Sequence, residues 1–189
     1  MDYWDIDRLL MEDHPISCRF LQAAPGVGWL DPHARSRGIS DLPAASKVEL
    51  PLWLAEPLTK KTLTSVDTPE IFSKPLCELL QRGALQLRTR DKSPYYFELG
   101  ARLAWLTDEV GLLSALVRGL TTRQQSILER TAGGIGLSET EEGMFLFPFT
   151  LAEERMYRLC KGASSEGIAW RAGTARTMRP ATSALYPKE

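Results

Sequence analysis

Two histidines, three cysteines, two glycine-rich turns and one basic–aromatic run are the residues whose types could do chemistry. His14 and His33 each adjoin a proline, and neither stands in an HxxxH or HxxE spacing. A metal ligand or general base needs partners at reach, so both read as solvated turn histidines. Cys18, Cys77 and Cys160 are widely spaced and form no CxxC pair. An odd, scattered set points to reduced thiols, not to a disulfide frame or a zinc site. Gly26-Val27-Gly28 is half of a dinucleotide fingerprint, without the third glycine, the following helix or the βαβ unit. Gly133-Gly134-Ile135-Gly136 lacks the lysine and hydroxyl of a phosphate loop and reads as a link between helices. Asp5 and Asp7 would diverge on a helix instead of sharing an ion. The prediction is a protein with no catalytic residues, no metal and no cofactor.

Two binding signals remain. Arg82, Arg88, Arg90 and Lys92 precede Tyr95-Tyr96-Phe97, which sets cations beside stackable rings as in nucleic-acid contacts. Asp91 dilutes that charge, and a net charge of −1 gives the chain no general attraction to a polyanion. A stand-alone DNA-binding adaptor using residues 82–92 is therefore the alternative reading, and direct DNA contact is not expected to dominate. Trp53, between Leu52 and Leu54, fits a core or a subunit interface better than a ligand site.

The elements that must position these residues follow from periodicity. Residues 3–13 carry Ile6, Leu9 and Leu10 on one helical face, and His14-Pro15 ends it. Ile16–Leu21 alternates as a strand, Ala24–Gly28 is a turn, and 31–45 is an exposed loop. Lys47–Leu50 returns as a strand and runs through Pro51 into Leu52-Trp53-Leu54-Ala55, a short helix predicted to close at Pro57. Residues 60–66 read as a connector. Thr68-Pro69-Glu70 starts a helix that Pro75 kinks and Gly83 ends. Residues 84–92 read as an exposed connection.

From Pro94 on, Tyr96, Leu99, Leu103, Leu106, Val110, Leu113, Val117 and Leu120 recur at spacings of three and four, an apolar seam of coiled-coil type. Thr107-Asp108-Glu109 resembles a fresh N-cap that would divide the seam. A further helix is predicted over 122–130. Ser138-x-x-Glu141 and Thr150-x-x-Glu153 are capping boxes on either side of Pro148. The second helix is predicted to end at Lys161, and from Gly162 the chain reads as a mildly basic disordered tail.

The chain has 189 residues, 43% hydrophobic and 25% charged. Its first residues are acidic, and no apolar run approaches the ~18 residues of a membrane span, so neither secretion nor membrane insertion is expected. The fold class is α+β, mainly α: a small β-rich domain with a helical lead-in over 1–50, a helical domain over 51–162, and a tail over 163–189. The helical part carries more apolar surface than so small a unit should hide, which favours a partner interface.

Four blocks resemble a known family. They are Tyr3-x-Asp5-Ile6-Asp7-x-x-Leu10, Ile16-x-Cys18-x-Phe20, Pro25-Gly26-Val27-Gly28-Trp29-Leu30-Asp31 and Lys47-Val48-Glu49-Leu50-Pro51-Leu52-Trp53-Leu54-Ala55. In order and spacing they are similar to subunit 3 of the GINS complex. Pro94-x-Tyr96-Phe97-x-Leu99-Gly100 and residues Leu137–Phe145 are similar to that family's helical half. The likeness covers 3–162 and departs at Arg35–Ala45 and at Pro148. It implies an N-terminal B domain, a C-terminal helical A domain, and a non-catalytic place among three sister GINS subunits. It further implies the Mcm ring and the cell-division-cycle protein forty-five as partners in the CMG replicative helicase, and a nuclear location. On that basis Leu52, Trp53, Leu54 and the seam Tyr96–Leu120 are the core and interface candidates.

Overall fold

Ile16, Cys18 and Phe20 all point inward from the strand β1 (Pro15–Phe20), with Ser17 and Arg19 between them. A computed structural model describes residues 5–31, 35, 36, 38, 40–132 and 138–174. β1 lies at the centre of a three-stranded antiparallel sheet. On one side is β2 (Lys47–Pro51), in a register that sets Ile16 opposite Leu50 and Cys18 opposite Val48. On the other is β3 (Thr64–Val66), with Cys18 opposite Val66. β3 falls within the stretch expected to be a connector. The sheet is therefore completed from the far side of Pro51, and that proline is not where β structure stops.

Before the sheet comes α1 (Ile6–Glu12), capped by the Asp5 side chain. His14 is half-buried, not solvated, and burial pushes its pKa down. Pro51 ends β2 and opens α2 (Leu52–Lys60), whose first amide donates to the His14 carbonyl at 3.0 Å. The helix runs through Pro57 instead of ending there. An interior proline costs a backbone bond. Here the Thr59 hydroxyl donates to the Ala55 carbonyl at 2.9 Å, and the Leu63 amide donates to the Leu58 carbonyl, so the last turn is closed from outside.

After a 3-10 turn at Glu70–Phe72 come α3 (Lys74–Gly83) and a single turn, α4 (Thr89–Lys92). α5 (Tyr96–Thr107) and α6 (Val110–Ala132) follow, then α7 (Glu139–Leu146) and α8 (Leu151–Arg171). Asp108, in the left-handed region at φ 54°, breaks the chain between α5 and α6. α6 absorbs the separate helix expected at 122–130. Both capping boxes are formed. α8 continues to Arg171, so residues 163–171 are helical and not part of a disordered tail. Residues 175–189, His33 and Gly133–Gly136 lie outside the described residues.

One apolar cluster joins the sheet (Ile16, Phe20, Val48, Leu50) to Leu52 and Ala55 of α2, Leu80 of α3, and Tyr96, Leu99 and Leu116 of α5 and α6. Each such Leu or Phe contributes on the order of 1.5–3 kcal/mol. α3 can approach α6 closely because position 119 is glycine: a methyl there would lie 2.4 Å from Leu80 Cγ. A second cluster holds Ile127, Leu146, Phe149 and Tyr157.

Between the two clusters lies Arg123, fully buried at 0% exposure. Its Nε donates to Glu153 Oε1 at 2.7 Å, and Nη2 donates to Glu153 Oε2, to Thr89 Oγ1 and to the Pro148 carbonyl. Nη1 donates to the carbonyls of Ala84 and Leu87, at 2.8 and 3.0 Å. Phe149 stacks on the guanidinium with its ring centre 4.5 Å away. Residues 84–92 are thus wrapped around this arginine, with Ala84, Leu87 and Thr89 buried, instead of forming an exposed connection. Removing one member of a buried pair strands the other charge, at a cost of roughly 3–5 kcal/mol. Arg123→Met should lower the unfolding free energy in urea by about that much. A loss below ~1 kcal/mol, the range of exposed pairs, would show that the pair does not hold the helices.

Candidate subunit interface

The apolar seam read from the sequence divides at Asp108. On α5, Tyr96, Leu99 and Leu103 are buried at no more than 1% exposure, and Leu106 is half-buried. On α6 the same spacing lands outside: Val110, Leu113 and Val117 are 74, 39 and 57% exposed. The buried face of α6 is instead Leu112, Ala115, Leu116, Gly119, Arg123 and Ile127. Leu120 is half-buried. The left-handed residue at 108 resets the helical phase, so a seam continuous in sequence turns from core to surface. In α2, Leu52 is buried, Leu54 half-buried and Trp53 54% exposed. Truncating Trp53 therefore removes little of this chain's own core.

Trp29, Trp53, Trp105 and Trp170 are each more than half exposed. Tryptophan is normally a largely buried residue, and exposed aromatic anchors are the residues that dominate protein interfaces. Trp105, at 81%, stands between two depressions. One is a groove of about 650 Å³ between α1, α2, α5 and α8. The other is a shallow hollow that Trp105 shares with Val110 and Leu113. Those two residues then border a third hollow with Val117. Trp105, Val110, Leu113 and Val117 so form one strip along the outside of α5 and α6. None of it was separable from core by sequence spacing.

Charges frame the groove. Arg102 donates to Glu12 at 3.2 Å and to Glu56 at 2.9 Å, and Lys60 donates to Glu56 at 2.7 Å. The Lys60 and Arg102 contacts hold the Glu56 carboxyl below its usual range. Arg155 of α8 pairs with Asp7 of α1, and the Tyr95 hydroxyl donates to Asp7 at 3.1 Å. The Arg155 contact sets the Asp7 pKa below the ordinary carboxylate value.

Of the basic cluster, Arg88 lies over the Phe147 ring at 5.3 Å, and Arg90 pairs with Glu154 at 2.8 Å. Arg82 and Lys92 are exposed on the surface. Burial pushes the Cys18 thiol up to about 11, and Asp67 adds to the shift. Among the described residues there is no group of three or more His, Cys, Asp or Glu side chains placed to hold a metal, and no helix long and apolar enough to cross a membrane.

These features define a mainly helical α+β protein with a completed interior and an aromatic exterior. Residues 4–60 match the PSF3 N-terminal domain family. The chain is 26% identical over 174 residues to the DNA replication complex GINS protein psf3 of Schizosaccharomyces pombe, covering 92% of this chain and 99% of that one. It is 27% identical over 190 residues to the PSF3 protein of Eremothecium gossypii, covering 91% and 99%. It is 28% identical over 170 residues to the probable PSF3 protein of Dictyostelium discoideum, covering 90% and 62%. The chain is thus similar to GINS subunit 3 proteins over most of its length, and its first third matches their N-terminal domain.

The α1–α8 tether has an acid limit. Because the folded pKa of Asp7 is lowered, its contribution is fully present above the ordinary carboxylate value and is lost as pH falls through the lowered one. Hydrogen exchange of the α1 amides, compared with those of β1, should accelerate across that window. Asp7→Asn should exchange fast at neutral pH already. Identical α1 profiles for the two proteins at neutral pH would show that Arg155 does not tether the helix.

Proposed function

We propose that this chain is a non-catalytic structural subunit of the GINS heterotetramer, acting with the Mcm ring and the cell-division-cycle protein forty-five in the nuclear replicative helicase. The observation that carries the reading is the strip Trp105–Val110–Leu113–Val117, exposed on helices whose opposite faces are already packed. A face that the monomer's own core does not need is available to another subunit. The relatives are named as GINS replication proteins, and they align over most of the chain.

Its mechanical role follows from rigidity. The buried Arg123–Glu153 pair and the shared core fix the angle at which α5 and α6 present the strip. A preorganised surface loses less entropy on docking. The DNA-adaptor alternative is supported less: of its four cations, Arg88 and Arg90 are engaged within the fold.

Co-expression with the three sister subunits should give one complex of equal stoichiometry. Val117→Asp should abolish co-purification while shifting the isolated chain's stability by no more than ~0.5 kcal/mol, as expected of an exposed site. A monodisperse chain that ignores its sisters, or a Val117→Asp variant that still assembles, would overturn the proposal.

A further inference from the structure

The groove between α1, α2, α5 and α8 offers more than apolar area. Glu98, Ala101, Arg102 and Trp105 line it from successive turns of α5, so one carboxylate and one open indole face the same space. Most of the groove's other charges are already spent. Arg102 and Lys60 are taken by Glu12 and Glu56, Arg8 by Glu12, and Arg155 by Asp7. Among the described residues no cation pairs with Glu98. Desolvation raises its pKa, and the charged groups that bear on it, Glu153 and Asp7, are both negative. An exposed carboxylate, next to further negative charge and an exposed indole, lacks a positive partner. Arginine suits both halves: its guanidinium pairs with carboxylate and stacks on an aromatic face.

We infer that this groove is the docking site for a basic, arginine-bearing segment of a sister subunit, with Glu98 as its anion and Trp105 as its stacking platform. The inference rests on the assembly reading above and names the chemistry of one contact within it. It also distinguishes two kinds of contact on surfaces that meet at Trp105. The α6 strip associates by apolar area and is indifferent to salt, whereas the groove selects by charge and is weakened by salt.

A photo-crosslinking residue at the exposed groove position Ala101, in the reconstituted four-subunit complex, tests it. The expected adduct is to a sister-subunit peptide with Arg or Lys at the point of attachment. Its yield should fall about tenfold in Glu98→Gln, the loss of one charge-assisted contact (~1.4 kcal/mol). It should fall similarly in Trp105→Ala, less in Trp105→Phe, and progressively with added salt. Glu98→Gln is isosteric and should melt as the parent does, which separates lost docking from lost folding. An adduct to an apolar or acidic segment, an adduct to this chain's own residues 175–189, no interchain adduct, or a yield unmoved by Glu98→Gln would overturn it. Should the complex itself fail to form, the assembly reading falls first; should it form without a basic adduct, only this inference falls.

Discussion

A single arginine with no exposure holds this molecule's layout in place. Arg123 projects from the buried face of α6 and fills its donors on Glu153, Thr89 and three main-chain carbonyls. Those partners come from the α3–α4 connection, the start of α4, the turn before α8 and the first turn of α8. Burying such a charge is costly unless every donor is met, so the partners must occupy one arrangement. Glu153 serves twice, since Oε2 also accepts from the Thr150 amide that it caps, at 2.8 Å. Displacing the ion pair would therefore uncap α8 as well as free α6.

That constraint explains why the outside can be so apolar. With the sheet, α3, α5 and the inner face of α6 sharing one cluster, and α7 and α8 sharing another, the interior is complete. Trp105, Val110, Leu113 and Val117 are surplus to it. A surface held by a buried polar network is stiff, and a stiff surface with aromatic anchors is suited to permanent association.

Much of this was readable in the sequence, for identifiable reasons. The strands at Ile16–Phe20 and Lys47–Leu50 alternate cleanly because one face of each is buried. The capping boxes at Ser138 and Thr150 are local, so sequence spacing alone determines them. The strand Thr64–Val66 was not legible, because three residues carry no periodicity and only the partner β1 makes them a strand. The break in the seam at Thr107-Asp108-Glu109 was legible as a cap, but spacing does not register that the left-handed Asp108 turns the second half outward. Arg123 gave no signal, since the expected seam does not include position 123 and its burial is seen only in the fold. Its partners are 25 or more residues away along the chain, beyond the reach of any local pattern. The groove suffers the same limit, since four separated helices build it.

The central claim is that the interior closes by itself and the exterior apolar strip is what associates. Isothermal titration of the chain into a complex of its three sister subunits, repeated across temperature, tests this most directly. Burial of the strip should appear as a clearly negative heat-capacity change of association, the marker of apolar surface leaving water. A heat-capacity change near zero, with affinity that collapses as salt is added, would contradict the account.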